Sequence, residues 1–165
     1  MVDASDHCRG ILIDLDLAVR VEDTPSGPRS AQRAVSLPFL AFDLLTSEPP
    51  PHEYRHDLES FFWCLWWIAI SYNRGVHRKR MFELQGWHEG TWKHIQMIKQ
   101  ITQWQYNKLC LLPSPSMADL LSPLARLHVM FIAGHAAKVS GGVDESTLGG
   151  HITYETFFAC LSLGL

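Results

Sequence analysis

The side chains whose types and spacing could do chemistry are Asp14 and Asp16, two carboxylates one residue apart in Gly10-Ile-Leu-Ile-Asp-Leu-Asp-Leu-Ala-Val19. An apolar run followed by alternation predicts a strand, with both acids on one face and Ile13, Leu15 and Leu17 on the other. Carboxylates at a strand end offer the hard oxygen ligands that suit a divalent cation. The same pattern also fits two solvated acids on an edge strand. The order of elements along the chain favours a site: an acid-tipped strand, a long loop rich in Pro, Gly and Ser, a short helix, then an apolar helix opened by Asp57.

Other reactive groups carry less. His52 and His56 have the i, i+4 spacing that can present two imidazoles to zinc, but Pro49, Pro50 and Pro51 disfavour helix at His52, and no third ligand lies nearby. Cys8, Cys64, Cys110 and Cys160 form no C-x-x-C pair and read as reduced intracellular thiols. The chain holds no G-x-x-x-x-G-K-[ST] loop, no G-x-G-x-x-G loop and no G-x-S-x-G elbow, which removes the common phosphate-cradling and hydrolase readings.

The elements that must position Asp14 and Asp16 emerge from periodicity. Residues 22–35 lack any period and carry the turn chemistry Thr24-Pro25-Ser26-Gly27-Pro28, so they form a long connection. A short helix is predicted over residues 38–45, stopped by Pro49 to Pro51. Residues 57–72 are apolar nearly all round and predict the central helix of a domain. Trp92, Ile95, Ile98, Ile101 and Trp104 recur at three-residue steps and predict an amphipathic helix, with Lys93, Lys99 and Gln100 marking its solvent face. Ser116 is expected to cap a helix over residues 117–138 that Pro123 interrupts or kinks, and Thr153 a last helix carrying Phe157, Phe158 and Leu161.

Composition bounds the rest. A chain of 165 residues, 47% hydrophobic, suits one domain, and such a length buries roughly 70% of its unfolded surface without disulfides or a structural metal. The net charge of −3 gives no electrostatic footprint for nucleic acid. Acid at the N-terminus argues against a targeting segment. The apolar run at residues 61–70 is shorter than the roughly 18–20 residues a bilayer needs. The expected protein is intracellular, cytoplasmic or nuclear, with no membrane and no nucleic-acid partner.

Three blocks carry a resemblance: Gly10-Ile-Leu-Ile-Asp-Leu-Asp-Leu-Ala18, Leu37-Pro-Phe-Leu-Ala-Phe-Asp-Leu-Leu45 and Tyr54-Arg-His-Asp-Leu-Glu-Ser-Phe-Phe62. In this order they resemble the fungal-type protein kinase family, a branch of the protein-kinase-like fold. The resemblance implies that Asp14 is the metal-binding Asp of an Asp-Phe-Gly-like motif, with Leu15 and Asp16 in its second and third places. It further implies an activation-loop-like segment and an Ala-Pro-Glu-like closure at Ala41-Phe42-Asp43, with Asp43 tied to a basic partner that the sequence does not identify. Asp57 resembles the Asp that opens the central C-lobe helix and holds the catalytic loop through backbone N–H groups. By family the activity is transfer of the ATP γ-phosphoryl group to protein Ser or Thr, with magnesium.

Departures from the family pattern bear directly on activity. The chain has no Gly-rich loop, no strand-borne Lys paired to a helix Glu, and no His-Arg-Asp loop with its downstream Asn; His7-Cys8-Arg9-Gly10 supplies neither Asp nor Asn. Val35 stands where the family has Gly, and Ser36 where it has Thr. The expected fold is mostly α: a partial kinase C-lobe with one or two short N-terminal strands and five or six helices. Its parts are residues 1–21 with the Asp-Phe-Gly-like motif, 22–45 with the activation-loop-like segment, and 54–165 as the helical C-lobe. Alone it is expected to bind neither Mg2+ nor ATP productively, and no side chain in it is assigned to catalysis. The alternative is a non-catalytic helical interaction module, or pseudokinase remnant, whose partner is another protein or the missing N-terminal half of a kinase.

Overall fold

Helix α1, Tyr54–Ser71, is the element around which the others pack. In this computed structural model, residues 37–73, 76–77, 91–104 and 114–162 are described. The expected strand and loop before residue 37 lie outside these residues, as do Cys8 and Cys110.

Within α1, Leu58, Phe62, Trp63, Trp66, Ala69 and Ile70 are buried, so side chains at helical spacing fill the interior. The helix begins earlier than residues 56–57, where the sequence suggests it opens. The Glu53 N–H donates to His56 Nδ1 at 2.9 Å, satisfying an N-terminal backbone donor from the third helical position. It is also not uniformly apolar. Arg55, His56 and Glu59 are buried at its N-terminal end, while Phe61 and Ile68 are 53% and 41% exposed.

Against α1 lies helix α3, Leu121–Ser140, with Leu124, Leu127, Met130 and Phe131 buried, while helix α2, Trp92–Trp104, with Ile95 buried, packs on residues 37–45 and on α3 and meets α1 through Lys99 and Trp63. A 3-10 turn, Pro115–Leu120, leads into α3 and is broken at Met117, which is non-helical. Pro123 therefore causes no kink. It sits in the first turn of α3, where an N–H would have no intrahelical acceptor in any case. The N-terminal boundary of this entry falls at Ser114 rather than Ser116, with no side-chain cap bond, and the Ser114 N–H donates to Ala69 O at 2.9 Å.

Helix α4, Tyr154–Ser162, starts as expected, with the Thr156 N–H donating to Thr153 Oγ1 at 3.1 Å. It buries Phe157 and leaves Phe158 exposed. Gly141 ends α3 at φ 81°, backbone that an L side chain rarely adopts. The loop after it folds around Asp144, whose carboxylate accepts from Ser146 Oγ, Thr147 N–H and Gly149 N–H.

The short helix expected over residues 38–45 is instead two 3-10 turns, Leu37–Phe39 and Phe42–Leu45. Glu59 from α1 and Lys99 from α2 take backbone groups of this segment, in place of a continuous α-helical ladder. The fold is mostly helical, with four α-helices and three 3-10 turns among the described residues. The strands found there, Tyr72–Asn73 (β1) and Val76–His77 (β2), form a small antiparallel pair after α1, while the expected N-terminal strands lie outside the described residues.

The apolar run at residues 61–70 lies inside α1. A different stretch, Pro115–Ser140, is the one among the described residues that is long and apolar enough to cross a membrane by length and composition. One face of it is filled by Leu124, Leu127, Met130 and Phe131, packed in the core as in the central helix of a folded domain.

Candidate functional site

Charge gathers at the N-terminal end of α1, where α1 and α3 both meet Asp43. Asp43, in the second 3-10 turn, accepts from Arg55 Nη2 at 2.8 Å and from Lys138 Nζ at 3.1 Å. Arg55 is therefore the basic partner that the sequence leaves open. It lies one turn before Glu59 on α1, and its Nε donates to Glu145 O at 2.6 Å. Glu145 Oε2 in turn takes Lys138 Nζ at 2.7 Å. The Asp144-centred loop thus has a structural use, holding Glu145 over the outer side of the Asp43 and Arg55 pair.

Glu59 forms the inner half of the cluster. Its Oε1 accepts from Phe42 N–H at 2.9 Å and from Trp63 Nε1 at 3.0 Å. Its Oε2 faces His135 Nε2 at 3.4 Å, an ion-pair contact longer than a well-formed hydrogen bond. The other ring nitrogen of His135, Nδ1, lies 3.9 Å from Asp43 Oδ1. Lys99, expected on the solvent face of α2, is instead fully buried. Its Nζ donates to Leu40 O and sits 4.6 Å from the centre of the Trp63 ring, a cation–π contact.

The electrostatics follow from this geometry. Burial, the largest influence on Glu59, opposes its charge, but His135, Lys99 and the Phe42 N–H together hold its pKa down at about 2. Burial likewise opposes the charge on Asp43, and His135, Arg55 and Lys138 outweigh it, so the pKa is lowered. For His135, burial favours the neutral ring, yet contact with Glu59 and the charges of Glu59 and Asp43 raise the pKa above 6.5. Lys99 is brought down to about 7 by burial, against the pull of Glu59. His56, buried beside Arg55, is lowered to about 3 and is neutral.

Such an arrangement neutralises charge within itself and holds backbone; it presents no nucleophile to solvent. The segment 37–45 is fixed at three points: Leu40 O by Lys99, Phe42 N–H by Glu59, and the Asp43 side chain by Arg55 and Lys138. Ala41, between the first two, is fully buried.

The expected site residues fall into two groups. Asp14, Leu15 and Asp16 lie outside the described residues. Ala41 and Asp43 stand together in the anchored turn, whereas Asp57 is elsewhere on α1, its side chain 58% exposed and its Oδ1 3.2 Å from His52 Nε2. The catalytic-loop backbone to which the resemblance ties Asp57 also precedes the described residues. His52 and His56 do not converge on a metal: His56 Nδ1 is used at the helix cap, and no group of three His, Cys, Asp or Glu among the described residues could hold an ion.

Among the members of the cluster that sequence reasoning missed, Glu59, Lys99 and His135 are buried. A signal was present in each case, since Glu59 stands four residues from Trp63, Lys99 four from Ile95 and His135 four from Phe131, polar groups at core positions of a helical period.

Comparison with curated proteins and with solved structures found no match. The first 69 residues, which include Asp14, the anchored turn with Asp43 and most of α1, match the family model of fungal protein kinases, and residues 70–165 lie outside that match.

Proposed function

We propose that these residues supply the lower, helical scaffold and the metal-binding Asp14 of a fungal-type protein kinase domain, whose activity by class is transfer of the ATP γ-phosphoryl group to protein Ser or Thr. One observation supports this most: the turn that resembles the kinase Ala-Pro-Glu motif is tied through Asp43 to a buried Arg55 within the family-like segment. A turn so held suits a segment that must present a substrate-facing loop in one place. Magnesium would supply positive charge to offset that of the phosphate oxygens. Asp14 is the residue assigned to it, and none of the described residues forms a second set of ligands.

Phosphoryl transfer depends on positioning and charge stabilisation. The phosphate clamp, the pairing Lys and the catalytic base are not among the 165 residues, so the chain alone has no transfer activity. Thermal unfolding with ATP, with and without magnesium, tests this beside Asp14→Asn. The expected result is no magnesium-dependent shift in Tm. A shift that vanishes in Asp14→Asn would mean that a nucleotide site is complete within these residues.

A second reading, a non-catalytic interaction module, is favoured by the exposed Phe61 and Ile68 on α1, with the partly buried Leu65 between them.

A further inference from the structure

Helix α3 is apolar on two sides. One side fills the core, and the other carries Val129 and Val139, 65% and 85% exposed, with Leu121 exposed at its start and Ile132 half-buried between them. At about 100° per residue these side chains and those of Ala125 and Ala136 share roughly a third of the helix circumference. No charge stands among them. The two basic residues of α3 are engaged away from the middle of this face, Arg126 with Cys160 O and Lys138 with Asp43 and Glu145. An uncharged apolar stripe that runs the length of a helix is a contact surface by its chemistry.

The order of residues within the face identifies what covers it. Leu121, Ile132 and Val139 lie along one edge, Ser122 and Ser140 along the other, and Ala125 and Ala136 near the midline. A second copy turned about a two-fold axis perpendicular to the helix, between residues 130 and 131, sets each edge against its own kind. Leu121 then stands level with Val139 of the second copy, Ser122 with Ser140, Ala125 with Ala136 and Val129 with Ile132, and the alanines let the two helix axes come close. The serine edge also matches in donors and acceptors. Ser122 Oγ accepts from Arg126 Nη1 at 2.6 Å and keeps its own proton to give, while Ser140 Oγ donates to Ala136 O at 3.0 Å and keeps lone pairs to receive it. A parallel copy would set the apolar edge against the serine edge. We propose that the outer face of α3 is a self-association surface on which a second copy of this chain docks antiparallel. The face is about 30 Å long and about 10 Å wide, so it hides roughly 300 Å² on each copy, roughly 600 Å² in all, where a stable complex needs about 1,200 Å². The contact is therefore weak and reversible. It lies beyond the residues that match the kinase family and does not depend on the kinase reading.

The test is analytical ultracentrifugation of the whole chain from about 10 μM to about 1 mM. The expected result is the mass of one chain at the low end, rising towards that of two at the high end. Val129→Glu, which puts a charge at the centre of the face, should hold the mass at one chain throughout, whereas Phe61→Glu, on the exposed side of α1, should leave the rise unchanged. With Ser122→Cys and Ser140→Cys in the same chain, mild oxidation followed by peptide mapping should join position 122 of one chain to position 140 of the other. A mass of one chain at every concentration would overturn the proposal and leave the face to a partner of another kind, a lipid bilayer included. A rise that survives Val129→Glu, a rise abolished by Phe61→Glu, or links that join 122 to 122 and 140 to 140 would overturn it as well. If Val129→Glu does not fold, the pattern of links decides the matter.

Discussion

Lys99 shows how a single side chain can be misread from sequence and still leave a measurable trace. It alternates with exposed Lys93 and Gln100, which is why it reads as solvated, yet it shares the Ile95 face of α2 and ends against Trp63 and Leu40 O. Its folded pKa of about 7 lies below the ordinary 10.5. Between those values the unfolded chain holds a proton that the folded chain has shed, so stability rises with pH across that window, and the burial cost is greatest below about 7. Replacing Lys99 with Met should flatten this rise, which for the wild type is on the order of a few kcal/mol. Urea unfolding of both proteins at either end of the window, taken as a difference profile, measures it. Asp43 was legible as a structural acid from its block, but Arg55 was not, because two residues twelve apart become partners only once the segment folds back on α1.

Helix α1 was legible in existence and centrality, since no other stretch is as apolar. Its start was not, because the deciding bond uses a histidine in a place where Glu or Gln is the usual capping partner. His56 is neutral, with a pKa of about 3 against an ordinary 6.5. Its contribution is therefore present above 6.5 and is lost as pH falls through that window. His56→Gln keeps an acceptor for the Glu53 N–H while removing the titration. It should be near wild type at neutral pH and lose less stability on acidification, whereas His56→Ala should cost about 1 kcal/mol at neutral pH. Thermal unfolding from about pH 4 to about pH 7 separates the two. The 3-10 form of residues 37–45 was illegible for a related reason: groups distant in sequence, Glu59 and Lys99, claim its backbone.

For the molecule as a whole, the charged cluster crosses the end of the family match. Asp43, Arg55 and Glu59 lie within residues 1–69, while Lys99, His135, Lys138 and Glu145 lie beyond it. A mostly helical fold followed from periodicity, but which helix meets which did not, because residues 92–162 carry no motif that says what they cover. The packing shows α2 and α3 completing an anchor whose other half resembles a kinase segment. A double-mutant cycle on Glu59 and His135, using Glu59→Gln, His135→Gln and both together at about pH 6, tests that joining most directly. A pair that acts across the boundary predicts a favourable coupling above about 1 kcal/mol, whereas additivity within about 0.5 kcal/mol would contradict it.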